Sequence, residues 1–69
     1  MAKKFWDQEV ELLDIPKTGT QAKRIIVQDV MKNGQRYANV REVANGRFAG
    51  LAIPKEDIEE IVRALQKIQ

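Results

Sequence analysis

Two Asn-Gly dipeptides, each flanked by runs of alternating apolar and polar residues, constrain the fold of this chain more than any other feature. They lie at positions 33–34 and 45–46. Asn and Gly both tolerate the positive φ angles of a two-residue type I′ turn, so this dipeptide is the strongest short-range signal for a β-hairpin. The sequence therefore predicts three consecutive antiparallel strands, over about residues 23–31, 36–43 and 47–53.

One further strand and one helix complete the predicted layout. Residues 9–15 alternate charged and apolar side chains and end at a Pro-Lys-Thr-Gly turn. Near the C-terminus, apolar residues recur at the spacing of one helical face, which comprises Ile58, Ile61, Val62, Leu65 and Ile68. We expect a helix over about residues 55–68. The predicted fold is α+β, a single domain over residues 1–69 in which a four-stranded antiparallel β-meander precedes one amphipathic helix (β-β-β-β-α).

The alternation of side chains along a strand divides the predicted sheet into two faces. The apolar face is expected to receive the helix and comprises Val10, Leu12, Ile25, Val27, Ala38, Val40, Leu51 and Ile53. The mixed face combines aromatic, guanidinium and amide groups and comprises Arg24, Ile26, Gln28, Tyr37, Asn39, Arg41, Phe48 and Gly50. A β-bulge in any strand would move the following residues to the other face.

The chain has 69 residues and contains neither cysteine nor histidine. A domain of this size buries only about 60% of the surface that its unfolded form exposes, so its own core gives little stability. Small proteins compensate with disulfides, a bound metal or oligomerisation, and the missing residue types exclude the first and most forms of the second. We therefore predict a homodimer. Part of the helix stripe is expected at its interface, namely Ile61, Leu65 and Ile68.

The composition disfavours membrane insertion and catalysis. No apolar run approaches the roughly 20 residues of a membrane span, and the N-terminus lacks the apolar stretch of a secretory signal. A soluble, cytoplasmic protein is expected, associated with the nucleoid if the source is bacterial or phage. Without His or Cys, the commonest general base and the commonest strong nucleophile are missing, and the glycines form no phosphate-binding pattern. We predict no enzyme, cofactor, metal site, small-molecule substrate or membrane partner.

The charges are distributed unevenly along the chain. Residues 1–14 carry a net charge of −2, residues 15–53 a net +5 and residues 54–69 a net −1. A basic middle between acidic ends suggests a polyanionic partner for the middle segment. Ordinary solubilising charge explains the same distribution about equally well.

The mixed face and its hairpin ends suggest a surface for single-stranded nucleic acid. Proteins of this class combine basic side chains for the phosphates with aromatic faces on which bases stack. The predicted site comprises Arg24, Lys32, Arg36, Tyr37, Arg41, Arg47 and Phe48, of which the two aromatics are the stacking candidates. The alternative is that these aromatics cover the sheet or lie in a dimer interface. Trp6 lies on an acidic segment and is not assigned to the site.

Three short stretches follow a family pattern in order and spacing. They are Arg24–Val30, Ala38–Glu42 and Gly50–Glu56. The first begins with an arginine and has an aspartate at its second-last position, and the third leads from the last strand into the helix. With the preceding Asn-Gly turn and the terminal amphipathic helix, they resemble the positive cofactor four family of transcriptional coactivators and its bacterial and phage relatives. The resemblance covers roughly residues 20–69.

This resemblance implies a homodimer that is paired through its C-terminal helices and presents two curved sheets to single-stranded DNA. Arg41 falls on the strand arginine that meets DNA in the family. The chain departs from the pattern at three places. Val43-Ala44 replaces an aromatic that follows that arginine, Phe48-Ala49 replaces a basic pair, and Val30 replaces another aromatic.

The first functional hypothesis is single-stranded DNA binding without sequence readout, in transcription, replication or recombination, with RNA left open as a second ligand. A dimeric protein-interaction module, whose exposed sheet face docks an acidic partner, is the second. The third is a small double-stranded-DNA regulator. The amphipathic terminal helix and the basic, aromatic sheet face favour the first hypothesis.

Overall fold

The computed structural model describes residues 5–20 and 22–68. Its elements are the strands β1 (Gln8–Pro16), β2 (Lys23–Lys32), β3 (Gln35–Ala44) and β4 (Arg47–Pro54), followed by the helix α1 (Lys55–Gln66). The strands form one antiparallel sheet in the order β1-β2-β3-β4. The predicted β-β-β-β-α layout is confirmed.

Both Asn-Gly dipeptides form the tight turns that the sequence predicts. Asn33 and Gly34 have φ angles of 52° and 79°, and Asn45 and Gly46 have φ angles of 49° and 76°. Positive φ at both central residues is the signature of a type I′ turn, whose twist matches that of the flanking strands. These turns set the register of the two hairpins, in which Lys32 pairs with Gln35 and Ala44 with Arg47.

A β-bulge interrupts the pairing of β1 with β2. Glu11 pairs with Gln28 and Leu13 pairs with Val27, so that Leu12 has no partner in the register. The extra residue shifts the rest of β1, and Leu13 and Ile15 now share the apolar face with Val27 and its neighbours. Leu12 itself lines a small cavity beside the helix residue Ile58.

The helix begins directly after the last strand. Pro54 occupies its N-cap position without a side-chain hydrogen bond, and the first turn carries Glu56 and Asp57, as suits the positive end of the helix dipole. The helix ends at Gln66, two residues before its predicted end, and the Lys67 N–H donates to the Ala64 carbonyl oxygen at 3.2 Å. Among the described residues, α1 packs closely against β3 and β4 and leaves the β1–β2 half of the apolar face uncovered.

The core of the single chain is thin. In the described part of the chain, the buried apolar residues are Val30 on the mixed face, 1% exposed, and Ile53 under the helix, 8% exposed. Large apolar side chains remain exposed on the apolar face and the helix, namely Val10, Leu12, Leu13, Ile15, Leu51, Val62, Leu65 and Ile68. With a thickness of 16 Å, the molecule amounts to one sheet with a helix along part of it. No helix within residues 5–20 and 22–68 is long and apolar enough to span a membrane.

Candidate nucleic-acid interface

The register of the sheet brings the residues of the mixed face together. Ile26, Arg41 and Gly50 form one row across β2, β3 and β4. The next row along the strands contains Gln28, Asn39 and Ala52. Arg24 and Phe48 both pair with Val43, and Tyr37 lies opposite Val30. The eight residues that the alternation assigns to this face therefore share it, because the bulge in β1 does not alter the pairing of the other three strands.

The side chains of Arg41 and Phe48 form one aromatic contact on this face. The Arg41 guanidinium carbon lies 4.3 Å from the centroid of the Phe48 ring, which is the geometry of a cation–π contact. Phe48 is nevertheless 67% exposed. Among the described residues, Arg41 forms no ion pair with a carboxylate. A planar cation on an exposed ring, without a counter-ion, is available for an anionic ligand.

Gly50 makes room for this arrangement. A Cβ atom at this position would lie 3.0 Å from the Val40 carbonyl oxygen and 3.2 Å from the Arg41 Cγ atom. Both distances are shorter than ordinary van der Waals contact. Because Gly50 has no side chain, the Arg41 side chain can lie close to β4 and contact the Phe48 ring.

A second aromatic contact joins Tyr37 to the N-terminal segment, which we define as Phe5–Asp7. The rings of Trp6 and Tyr37 are tilted by 46° and their centroids lie 5.6 Å apart, and Phe5 meets Trp6 edge-on at 4.7 Å. The sequence does not assign Trp6 to the predicted site, because its neighbours are acidic. The strand order indicates that Trp6 lies near Tyr37. In an antiparallel sheet, β1 begins beside the β2–β3 turn, and Tyr37 lies close to that turn.

A groove of about 540 Å³ separates the two aromatic contacts. Its lining includes Phe5, Trp6 and Glu9 from the N-terminal side and Arg41, Phe48 and Gly50 from β3 and β4. Asn39 and Ala52 also line the groove, and the Asn39 side-chain amide donates to the Gln28 Oε1 atom at 2.9 Å. The amide pair is thus held in place beside the groove.

Two of the predicted phosphate ligands on the mixed face are already engaged within the chain. The Arg24 Nε atom donates to the Asp14 Oδ1 atom at 2.7 Å. Lys32 donates to the Phe5 carbonyl oxygen at 2.6 Å and lies 4.5 Å from the centroid of the Phe5 ring. The Arg24–Asp14 ion pair is exposed, so its exchange for a phosphate costs little.

The structure does not bring Arg36 and Arg47 to the mixed face. Arg36 pairs in the register with Met31 and forms an ion pair with Asp29, which belongs to the opposite face. The hydrogen bond from Arg36 to the Asp29 carboxylate, with their charge attraction, raises the pKa of the Arg36 guanidinium. Arg47 pairs with Ala44 at the β3–β4 turn and lines a cavity there with Lys23.

Charge is distributed unevenly across the mixed face. Glu9 and Glu11 of the edge strand β1 lie on this face, opposite Val30 and Gln28, whereas Arg41 lies toward β4. A negative chain laid across the sheet would therefore be repelled near β1 and attracted near β3 and β4. The charge pattern gives the surface a preferred side.

The residues predicted for the dimer interface differ in exposure. Ile61 is half-buried, whereas Leu65 is 58% and Ile68 is 82% exposed.

Within residues 5–20 and 22–68, no group of three or more carboxylates is arranged to hold a metal ion. No family model matches the chain, and comparisons with curated proteins and with solved structures find no match either.

Proposed function

We propose that this protein binds single-stranded DNA without sequence specificity, through the mixed face and as a homodimer, in transcription, replication or recombination. The observation that carries the proposal is the exposed Phe48 ring with the Arg41 guanidinium 4.3 Å from its centroid, beside an open groove. An exposed aromatic ring and a planar cation that has no carboxylate partner among the described residues are the two groups that hold bases and phosphates of a single strand.

Each group has a distinct share in binding. A base that stacks on an aromatic side chain contributes roughly 1–3 kcal/mol, and stacking tolerates any sequence because every base has a π-face. A phosphate paired with arginine releases condensed counterions, which makes affinity depend on salt. Phe48 supplies the first contribution and Arg41 the second. Tyr37, which is half-buried beside Trp6, is the second stacking candidate.

The dimer follows from the uncovered apolar surface. Leu51 is 61% exposed on the apolar face, and the helix exposes Leu65 and Ile68. Monomeric proteins rarely leave so many large apolar side chains in water, and the mixed face lies on the other side of the sheet, free for DNA. A second copy is the occupant that we propose for this apolar surface. The resemblance to the positive cofactor four family implies the same arrangement.

A labelled oligo-dT followed by fluorescence anisotropy at several salt concentrations tests the proposal. Arg41→Ala should weaken binding and reduce the slope of log affinity against log salt by about 0.7, the share of one phosphate on a single strand. Phe48→Ala should weaken binding by about 5- to 160-fold and leave this slope unchanged, because stacking releases no counterions. Arg63→Ala, which removes a cation exposed on the helix and paired with Glu59, is the matched control.

The same titration separates the alternatives. Duplex DNA of equal length that binds more tightly than oligo-dT would favour a double-stranded-DNA regulator. Parent-like binding by both Arg41→Ala and Phe48→Ala would remove the mixed face from the site, and a protein-interaction module would then be the better description.

A further inference from the structure

The N-terminal segment is attached to the sheet at three points although Phe5 and Trp6 belong to no strand. The Asp7 N–H donates to the Met31 carbonyl oxygen at 2.7 Å, and the Asp7 carboxylate accepts from the Asn33 N–H at 2.9 Å. The Lys32 ammonium donates to the Phe5 carbonyl oxygen. All three contacts lead to the β2–β3 hairpin. They hold the segment over the mixed face.

This attachment places the indole of Trp6 between Tyr37 and the groove. The Trp6 ring meets the Tyr37 ring at 5.6 Å and also lines the groove, whose opposite side includes Arg41 and Phe48. Trp6 is half-buried, so part of its surface remains accessible. The groove volume of about 540 Å³ lies within the range of roughly 300–1,000 Å³ that small-molecule pockets occupy.

The two charged residues that line the groove, Glu9 and Arg41, differ in sign. A phosphate inside the groove is therefore attracted toward Arg41 and repelled by Glu9, whereas an uncharged base meets no such repulsion beside an indole. The Lys32 ammonium lies over the Phe5 ring and does not line the groove. This arrangement orients a nucleotide with its phosphate toward β4 and its base toward Trp6.

We infer that Trp6 is a base-stacking residue and that the groove between Trp6 and Phe48 holds one base of the bound strand. The inference rests on the proposed function and extends it to a segment outside the residues assigned to the site from sequence. The N-terminal segment is then part of the binding surface, anchored before the ligand arrives, so that little ordering entropy is lost on binding.

Trp6 is the only tryptophan of the chain, and its fluorescence therefore reports on this position alone. We would titrate the parent protein with unlabelled oligo-dT under selective excitation of tryptophan and follow the anisotropy of labelled oligo-dT in parallel. The expected result is quenching of Trp6 that saturates together with the anisotropy. An abasic deoxyribose-phosphate oligomer of the same length should leave the emission unchanged at saturation, since it offers phosphates but no bases.

Two variants distinguish stacking from mere covering of the sheet. Trp6→Leu retains apolar bulk without an aromatic plane, and we expect it to bind oligo-dT about 5- to 160-fold more weakly with an unchanged salt slope. Trp6→Phe keeps a smaller ring and should retain most of the affinity. Thermal melting of both variants checks the fold. If Trp6→Leu does not fold, the quenching titration of the parent decides the question.

The outcomes separate this inference from the proposed function. Binding by anisotropy without any change in Trp6 emission would overturn the inference and leave the proposed function standing, as would parent-like affinity of a folded Trp6→Leu variant. Quenching of equal size by the abasic oligomer would also overturn it. If the anisotropy shows no binding of oligo-dT, the proposed function itself fails.

Discussion

Leu65 offers the most direct test of the proposed homodimer. It lies in the last part of α1 and is 58% exposed in the single chain. We consider Leu65→Gln, because glutamine has nearly the same helix propensity and length as leucine but loses the apolar character. The substitution therefore changes what the helix offers to a partner more than it changes the helix itself.

The magnitude follows from the exposure. Full burial of a leucine side chain contributes about 1.5–3 kcal/mol, and the exposed 58% of Leu65 is the part that a partner can still cover. This part corresponds to about 0.9–1.7 kcal/mol for each copy. A two-fold symmetric interface contains the residue twice, so the dimer dissociation constant should rise by about 20- to 350-fold.

Sedimentation equilibrium over a range of micromolar concentrations measures this change, and circular dichroism at each concentration follows any unfolding that accompanies dissociation. The control is Glu60→Gln, an exposed helix position on the side away from the apolar stripe. A parent protein that sediments as a stable single chain across the range would refute the reasoning. So would a Leu65→Gln variant that dimerises as tightly as Glu60→Gln.

Two further predictions concern stability. Gly50→Ala should lower the free energy of unfolding by about 1–3 kcal/mol in urea titrations, because its Cβ would crowd the Val40 carbonyl oxygen at 3.0 Å, and an unchanged or higher stability would contradict this close approach. Glu42 accepts a hydrogen bond from Lys17 and is attracted by Lys17 and Lys23, which lowers the pKa of its carboxyl below the ordinary 4.5. A lowered folded-state pKa stabilises the fold above pH 4.5 and loses this contribution as the pH falls through the folded value. The stability difference between the parent and Glu42→Gln should therefore shrink between pH 7 and acid, and a difference that is constant with pH would contradict the ion pair.

The sequence by itself determined the elements and most of their faces. Asn33-Gly34 and Asn45-Gly46 specify their turns because these residues accept positive φ, and the turns in turn set the register of β2, β3 and β4. The helix follows from its apolar spacing. These signals are local, so each can be read within a few residues of the chain. The grouping of Tyr37, Arg41 and Phe48 on one face required only the period of two.

The tertiary structure decided what depends on contacts between distant segments. The bulge at Leu12 arises where β1 meets β2, and no signal within β1 specifies which residue is left unpaired. Arg36 pairs across the hairpin with Asp29 on the opposite face, although it lies beside Tyr37 in sequence. Trp6 reaches the groove because Asp7 binds the backbone of the β2–β3 hairpin, more than twenty residues away. Hydrogen bonds of this range depend on how the strands are placed in space, and local residue patterns carry no record of that placement.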